Sequence, residues 1–100
     1  MDPSPPGARR IGRRFLVTGR VQGVGFRYFV LRRAQELELT GWTRNLENGD
    51  VEVRAWGAEP QLSRLAEKLA VGPRSARVTN VEMTEISEEE ETGSGFRVVG

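Results

Sequence analysis

Three glycines, one arginine and one asparagine are the residues of this chain whose types and spacing suit chemistry. The stretch Gly19-Arg20-Val21-Gln22-Gly23-Val24-Gly25-Phe26-Arg27 sets a glycine-rich turn between an alternating apolar pattern and a helical one. A turn of this kind can aim several backbone N–H groups into one concavity at a helix N-terminus, where the helix dipole also favours negative charge. Arg27 follows the last glycine closely and adds a guanidinium fork matched to phosphate oxygens. Together they suggest an anion cradle and phosphate chemistry. Spacing alone does not separate that reading from an ordinary strand-to-helix turn, which uses glycines only for their backbone freedom. The second candidate is Asn45, in Gly41-Trp42-Thr43-Arg44-Asn45-Leu46-Glu47-Asn48-Gly49. Asparagine is a poor strand former, so this position implies either a role or an edge or solvent-facing place. Glu47, Asn48 and Asp50 flank a hairpin turn and are read as turn residues, with no metal cluster expected.

The elements that must position these residues are legible from periodicity. From Arg13 to Val21, Phe15, Val17 and Val21 alternate with Arg14, Thr18 and Arg20, the pattern of a half-buried strand. Phe26, Phe29, Val30, Ala34 and Leu37 then recur at helical spacing among polar residues. Thr40 to Glu47 and Asp50 to Trp56 read as two strands joined by Asn48-Gly49, a two-residue turn in which both residues tolerate positive φ. Pro60 suits a first helical turn, Leu62, Leu65, Ala66 and Leu69 form an apolar stripe, and Gly72-Pro73 stops that helix. Ala76 and Val78 share one strand phase while Val81 and Met83 take the other, which predicts a β-bulge near Thr79-Asn80. A short closing strand is expected over Phe96 to Val99. The order β-α-β-β-α-β, with that closing strand, predicts a ferredoxin-like α+β sandwich: an antiparallel sheet with both helices on one face. Residues 1–10, rich in Pro and Gly, read as a disordered tail ahead of a domain over 11–100.

Composition removes whole classes of mechanism. There is no Cys and no His, hence no thiolate nucleophile, no imidazole base and no ordinary zinc ligand set. At 100 residues and 37% hydrophobic content the chain suits one core. No apolar run is long enough to span a membrane, and the cytoplasm is the expected location. Residues 1–44 carry a net +6 and residues 45–100 a net −5, an asymmetry that implies either a nucleic-acid partner or two halves that complement each other on folding. The second is favoured. The loop lacks the Gly-Lys-Ser/Thr ending of a nucleotide P-loop and the Gly-x-Gly-x-x-Gly of a dinucleotide site, so no nucleotide cofactor is expected. Gly23 to Phe29 shares glycines and aromatics with an RNA-recognition signature, but that signature lies on a strand, whereas these aromatics open a helical repeat.

Two separated motifs, Gly19-x-Val21-Gln22-Gly23-Val24-x-Phe26-Arg27 and Gly41-Trp42-x-x-Asn45 before a hairpin into Val51-Glu52-Val53, resemble acylphosphatase. The likeness runs from near Arg13, through Gly72-Pro73 and Val78-x-x-Val81, to Phe96-Arg97-Val98. Departures are modest: Asn48-Gly49 stands where the family often has Asp-Gly, and Thr43 where an apolar residue is common. The resemblance implies hydrolysis of the carboxyl–phosphate bond of a small acyl phosphate, giving a carboxylate and inorganic phosphate by attack of water on phosphorus. It implies that Arg27 is the catalytic arginine and Asn45 the catalytic asparagine. The backbone of Gln22, Gly23, Val24, Gly25, Phe26 and Arg27 would form the phosphate-binding loop. No metal, no cofactor, no nucleic acid and no membrane are expected, and the protein is expected to be a monomer. The competing reading is a module that binds phosphate groups of nucleic acid or protein without turnover.

Overall fold

A computed structural model describes residues 9–91 and 93–100. The chain forms β1 (Arg10–Arg20), α1 (Phe26–Glu36), β2 (Thr40–Asn45), β3 (Val51–Ala58), α2 (Glu59–Val71), β4 (Arg77–Ile86) and β5 (Phe96–Val98), with a 3-10 turn at Glu88–Glu90. Of the tail expected over residues 1–10, residues 1–8 lie outside the described residues, and Arg10 opens β1.

One sheet carries the strands in the order β4-β1-β3-β2-β5. The β1–β3, β1–β4 and β2–β3 pairings are antiparallel, as expected for a ferredoxin-like sandwich. The closing strand departs from the all-antiparallel expectation: β5 pairs parallel to β2, with Gly41 opposite Phe96 and Thr43 opposite Val98, so the sheet is mixed. The predicted bulge is present. Thr18 faces Asn80 and Gly19 faces Val78, which leaves Thr79 as the extra residue.

The hairpin differs from its expected form. Leu46 N–H donates to the Asp50 carbonyl (2.8 Å), and Gly49 N–H donates to the Leu46 carbonyl (3.2 Å). Gly49 has φ 99°, whereas Asn48 is not left-handed. The loop is therefore three residues long, a turn closed by a left-handed glycine. Asn48 is held instead by its side chain, whose Oδ1 accepts from Asp50 N–H (3.0 Å), a local bond that asparagine readily makes.

Period-2 burial on the strands meets period-3.6 burial on the helices. Phe15, Val17, Val51, Val53 and Ala55 of the sheet and Phe26, Val30, Ala34, Leu62, Leu65 and Leu69 of the helices are all at most 1% exposed. Each such buried Leu or Phe contributes about 1.5–3 kcal/mol. Between α1 and β2 the chain turns without a glycine. Glu38 adopts φ 58°, its N–H donates to Gln35 O (3.1 Å) and Leu39 N–H donates to Ala34 O (2.9 Å), the paired bonds of a Schellman end.

The opposite face of the sheet is polar and closed by charge. Glu52 on β3 is 1% exposed and accepts from Arg14 Nε (2.6 Å), Arg44 Nε (2.7 Å) and Arg54 Nε (3.1 Å). Burial pushes its carboxyl up, but these three hydrogen bonds and the Arg14 charge outweigh burial and hold its pKa at about 2, against an ordinary 4.5. The Trp42 ring lies 5.4 Å from the Arg44 guanidinium and 5.5 Å from that of Arg54. Trp56, fully buried, donates its Nε1–H to the Ser87 carbonyl (3.0 Å). Part of the charge asymmetry of the sequence is met by pairing: Arg10, Arg13, Arg14 and Arg44 of the basic half pair with Glu91, Glu59 and Glu52 of the acidic half.

Candidate active site

The loop between β1 and α1 is built by two left-handed glycines, Gly23 (φ 73°) and Gly25 (φ 78°). An L side chain in that conformation costs roughly 1–2 kcal/mol. A Cβ at either position would meet nothing within 4 Å, so the requirement is backbone direction and not space. Gly25 is also the N-cap of α1 and supplies no side chain to the first-turn amides. The first helical bond runs from Phe29 N–H to Gly25 O (3.0 Å). The N–H groups of Phe26, Arg27 and Tyr28 are thus left without helical acceptors, as at any helix start, and no acidic residue occupies that turn. From the other side, Ser75 Oγ–H donates to the Val24 carbonyl (3.0 Å). Because the peptide is planar and trans, this turns the Gly25 N–H away from Ser75.

Asn45 is the last residue of β2 and pairs with Val51. It shares the helix-covered face of the sheet with buried Thr43, two residues earlier. α1 packs over β2 and β5, which carries its N-terminus to the Asn45 end of the strand. The result is a cavity of about 400 Å³ that both Arg27 and Asn45 line. Of the loop residues expected at the site, Gly23, Gly25, Phe26 and Arg27 also line it; Gln22 and Val24 belong to the loop but not to the cavity wall. Arg27 is its one charged lining residue, and its Nη1 donates a long bond to the Val99 carbonyl (3.5 Å). That carbonyl is placed by β5, since Val99 N–H donates to Thr43 O (2.9 Å). The Asn45 Oδ1 is buried and has no hydrogen-bond partner.

An anion can therefore meet amide N–H groups and a guanidinium in one place, beside an amide oxygen with nothing to accept from. Among the described residues no group of three or more His, Cys, Asp or Glu is placed to hold a metal ion. Residues 13–98 match the family model described as Acylphosphatase. The chain belongs to the acylphosphatase family. An acylphosphatase of Koribacter versatilis is 51% identical over 88 residues, 88% of this chain and 79% of that one. Among solved structures, an acylphosphatase from Coxiella burnetii superposes with TM-score 0.84 at 44% identity, covering 90% of this chain and 93% of that one. One from Bacillus subtilis gives TM-score 0.85 at 40% identity, covering 90% and 99%. The expected family and ferredoxin-like fold are both borne out.

Several residues of this acylphosphatase site carry no signal in the sequence. Val21, Tyr28, Leu31 and Val98 complete the cavity wall, yet each reads as one more residue of an amphipathic helix or a strand. Ser75 and the Gln22 side chain act from outside the cavity, and only the closed fold shows what they touch. Gln22 Nε2 donates to the carbonyls of both Leu46 (2.7 Å) and Asp50 (2.9 Å).

Proposed function

We propose that this protein is an acylphosphatase that hydrolyses small acyl phosphates to a carboxylate and inorganic phosphate. The observation that carries this is the convergence of Arg27 and Asn45, far apart in sequence, on one cavity at the uncapped start of α1. The N–H groups of the loop from Gln22 to Arg27 hold the phosphoryl oxygens, and the Arg27 guanidinium neutralises them. The bare Oδ1 of Asn45 accepts a hydrogen from a water and turns its lone pair toward phosphorus. The bond from water oxygen to phosphorus forms as the bond from phosphorus to the acyl oxygen breaks, and the departing electron pair stays on the carboxylate. No carboxylate or imidazole lines the cavity, so the water proton passes to a phosphoryl oxygen.

The leaving group explains why so few catalytic side chains suffice. A carboxylate has a conjugate-acid pKa of about 4 and departs at neutral pH without a strong general acid. Phosphoryl transfer of this kind has a loose transition state with charge on the equatorial oxygens, so positioning and electrostatics do most of the work. Neither step calls for a metal or a cofactor. The acyl group lies toward Leu31, Val98 and Tyr28, the apolar side of the cavity. A cytoplasmic monomer without nucleic-acid partners fits the same picture. Among the described residues no helix is long and apolar enough to cross a membrane, and four arginines of the basic half, Arg10, Arg13, Arg14 and Arg44, pair with acids of the other half.

Hydrolysis of benzoyl phosphate with chelator present tests the proposal. Wild type should turn over, and Arg27→Ala should lose at least about 10²–10³-fold in kcat, the usual effect of deleting a preorganised donor to developing charge. Asn45→Ala should lose kcat while inhibition by inorganic phosphate persists, because Asn45 faces water and not the phosphoryl group. Wild-type turnover in either variant would remove that residue from the mechanism; an inactive wild type would remove the function.

A further inference from the structure

We infer that Gln22 is a positioning residue whose side-chain amide clasps the phosphate loop to both arms of the β2–β3 hairpin and so sets Asn45 against the cradle. Its Nε2 spends one hydrogen on the Leu46 carbonyl (2.7 Å) and the other on the Asp50 carbonyl (2.9 Å). Leu46 directly follows Asn45, and Asp50 directly precedes Val51, the partner of Asn45 across the ladder. The clasp therefore grips the hairpin one residue from Asn45 on one arm and one residue from its partner Val51 on the other. Its other end is the residue before Gly23, where the loop begins.

The hairpin does not need this amide to complete its own hydrogen bonds. The Leu46 carbonyl already accepts from Gly49 N–H (3.2 Å), and the Asp50 carbonyl from Leu46 N–H (2.8 Å). Removing Gln22 Nε2 leaves neither carbonyl orphaned, so the large penalty for an unpaired buried group does not arise. What is lost is registration between two segments that no covalent path holds close. The anion is gripped by the loop, and its attacking water is aimed by the hairpin. A shift of about 1 Å between reacting partners can cost about 10²-fold in rate while leaving the binding of either one intact.

The role presupposes the phosphate site proposed above, and the test separates the two. Gln22→Met keeps length and bulk but removes both donors. With benzoyl phosphate, kcat should fall about 10- to 100-fold while KM and the inhibition constant of inorganic phosphate stay within about 3-fold. The urea midpoint should barely move, and a purely structural contact would show the opposite split. In the double variant with Asn45→Ala, kcat should match Asn45→Ala alone, because a misaligned residue that is already absent cannot be lost twice. Multiplying effects, an unchanged kcat, or an inhibition constant that rises with KM would each overturn the clasp. NMR supplies a readout that needs no turnover: the Asn45 side-chain amide signals should move in Gln22→Met while the backbone amide signals of Gly25 and Phe26 hold. An inactive wild type would overturn the functional proposal alone, and unmoved Asn45 signals would overturn the clasp alone.

Discussion

Protonating or neutralising Glu52 should cost this domain a large part of its stability, and the structure sets both the size and the pH window. The carboxylate is 1% exposed and takes three guanidinium hydrogen bonds from Arg14, Arg44 and Arg54, at 2.6, 2.7 and 3.1 Å. Its pKa is held at about 2 in the fold, against an ordinary 4.5. At about 1.4 kcal/mol per pH unit that interval is worth about 3 kcal/mol. Partial exposure of the arginines makes this an upper figure. A folded pKa below the unfolded one means that the contribution is fully present above about pH 5. It is lost as the pH falls through 4.5 toward 2. Glu52→Gln keeps the shape, deletes the charge and leaves three guanidinium groups without their counterion, so it should lose about 3 kcal/mol at pH 7. In a domain of this size that lowers Tm by roughly 12 °C or more. Urea unfolding of wild type and variant, followed by far-UV circular dichroism from pH 7 to 2, isolates the effect because other titrating groups cancel in the difference. The difference should be flat above pH 5 and shrink toward zero at pH 2. Two curves that stay parallel down to pH 2 would show that Glu52 does not titrate in this way.

Two further outcomes follow from the same structure. Glu38→Gly should stabilise the domain by about 0.5 kcal/mol: relieving a left-handed Cβ gains roughly 1–2 kcal/mol, and the freer unfolded chain takes back about 0.4–1 kcal/mol. Thermal unfolding checks it, and a lower Tm would show that the Glu38 side chain contributes more than its conformation costs. With no His and no Cys, the chain lacks the side chains that ordinarily titrate between pH 5 and 8, so kcat for benzoyl phosphate should be flat from about pH 6 to 8. A sigmoidal step in that range would mean that a protein group exchanges a proton in the rate-limiting step.

The parts legible in the sequence are those written in local periodicity. Phe15 and Val17 alternate, Leu62, Leu65 and Leu69 recur at helical spacing, and each of these residues is fully buried where its period puts it. The phase slip at Thr79-Asn80 marked a real bulge. Features that depend on partners distant in sequence were not legible. The three residues of β5 are too few to carry a direction, so their parallel pairing with β2 could not be read. Asn48-Gly49 suits several turns, and the bond from Asp50 N–H to the Asn48 side chain decides among them only once the strands are in register. The end of α1 has no glycine to announce it, since Glu38 takes the left-handed place. Glu52 alternates away from the core in sequence, and its burial follows from arginines on β1, β2 and β3 that lie over it with their long stems.

Asn45 shows how the structure alters a weighing that the sequence leaves open. An asparagine in a strand is ordinarily explained by an edge or by solvent. β5 pairs with β2 only over Gly41 to Thr43, so Asn45 does stand at an edge, yet its Oδ1 is buried. Burying an amide oxygen without a donor costs about 1–3 kcal/mol. The nearby amide of Gln22 does not remove that cost, since its Nε2 hydrogens go to Leu46 O, the carbonyl of the very next residue, and to Asp50 O. An acceptor left bare in a cavity that also holds the start of α1 can take a hydrogen that comes from outside the protein. Water bearing on a bound phosphoryl group would supply it, and the energy left unspent in the resting fold becomes attraction in the complex that reacts.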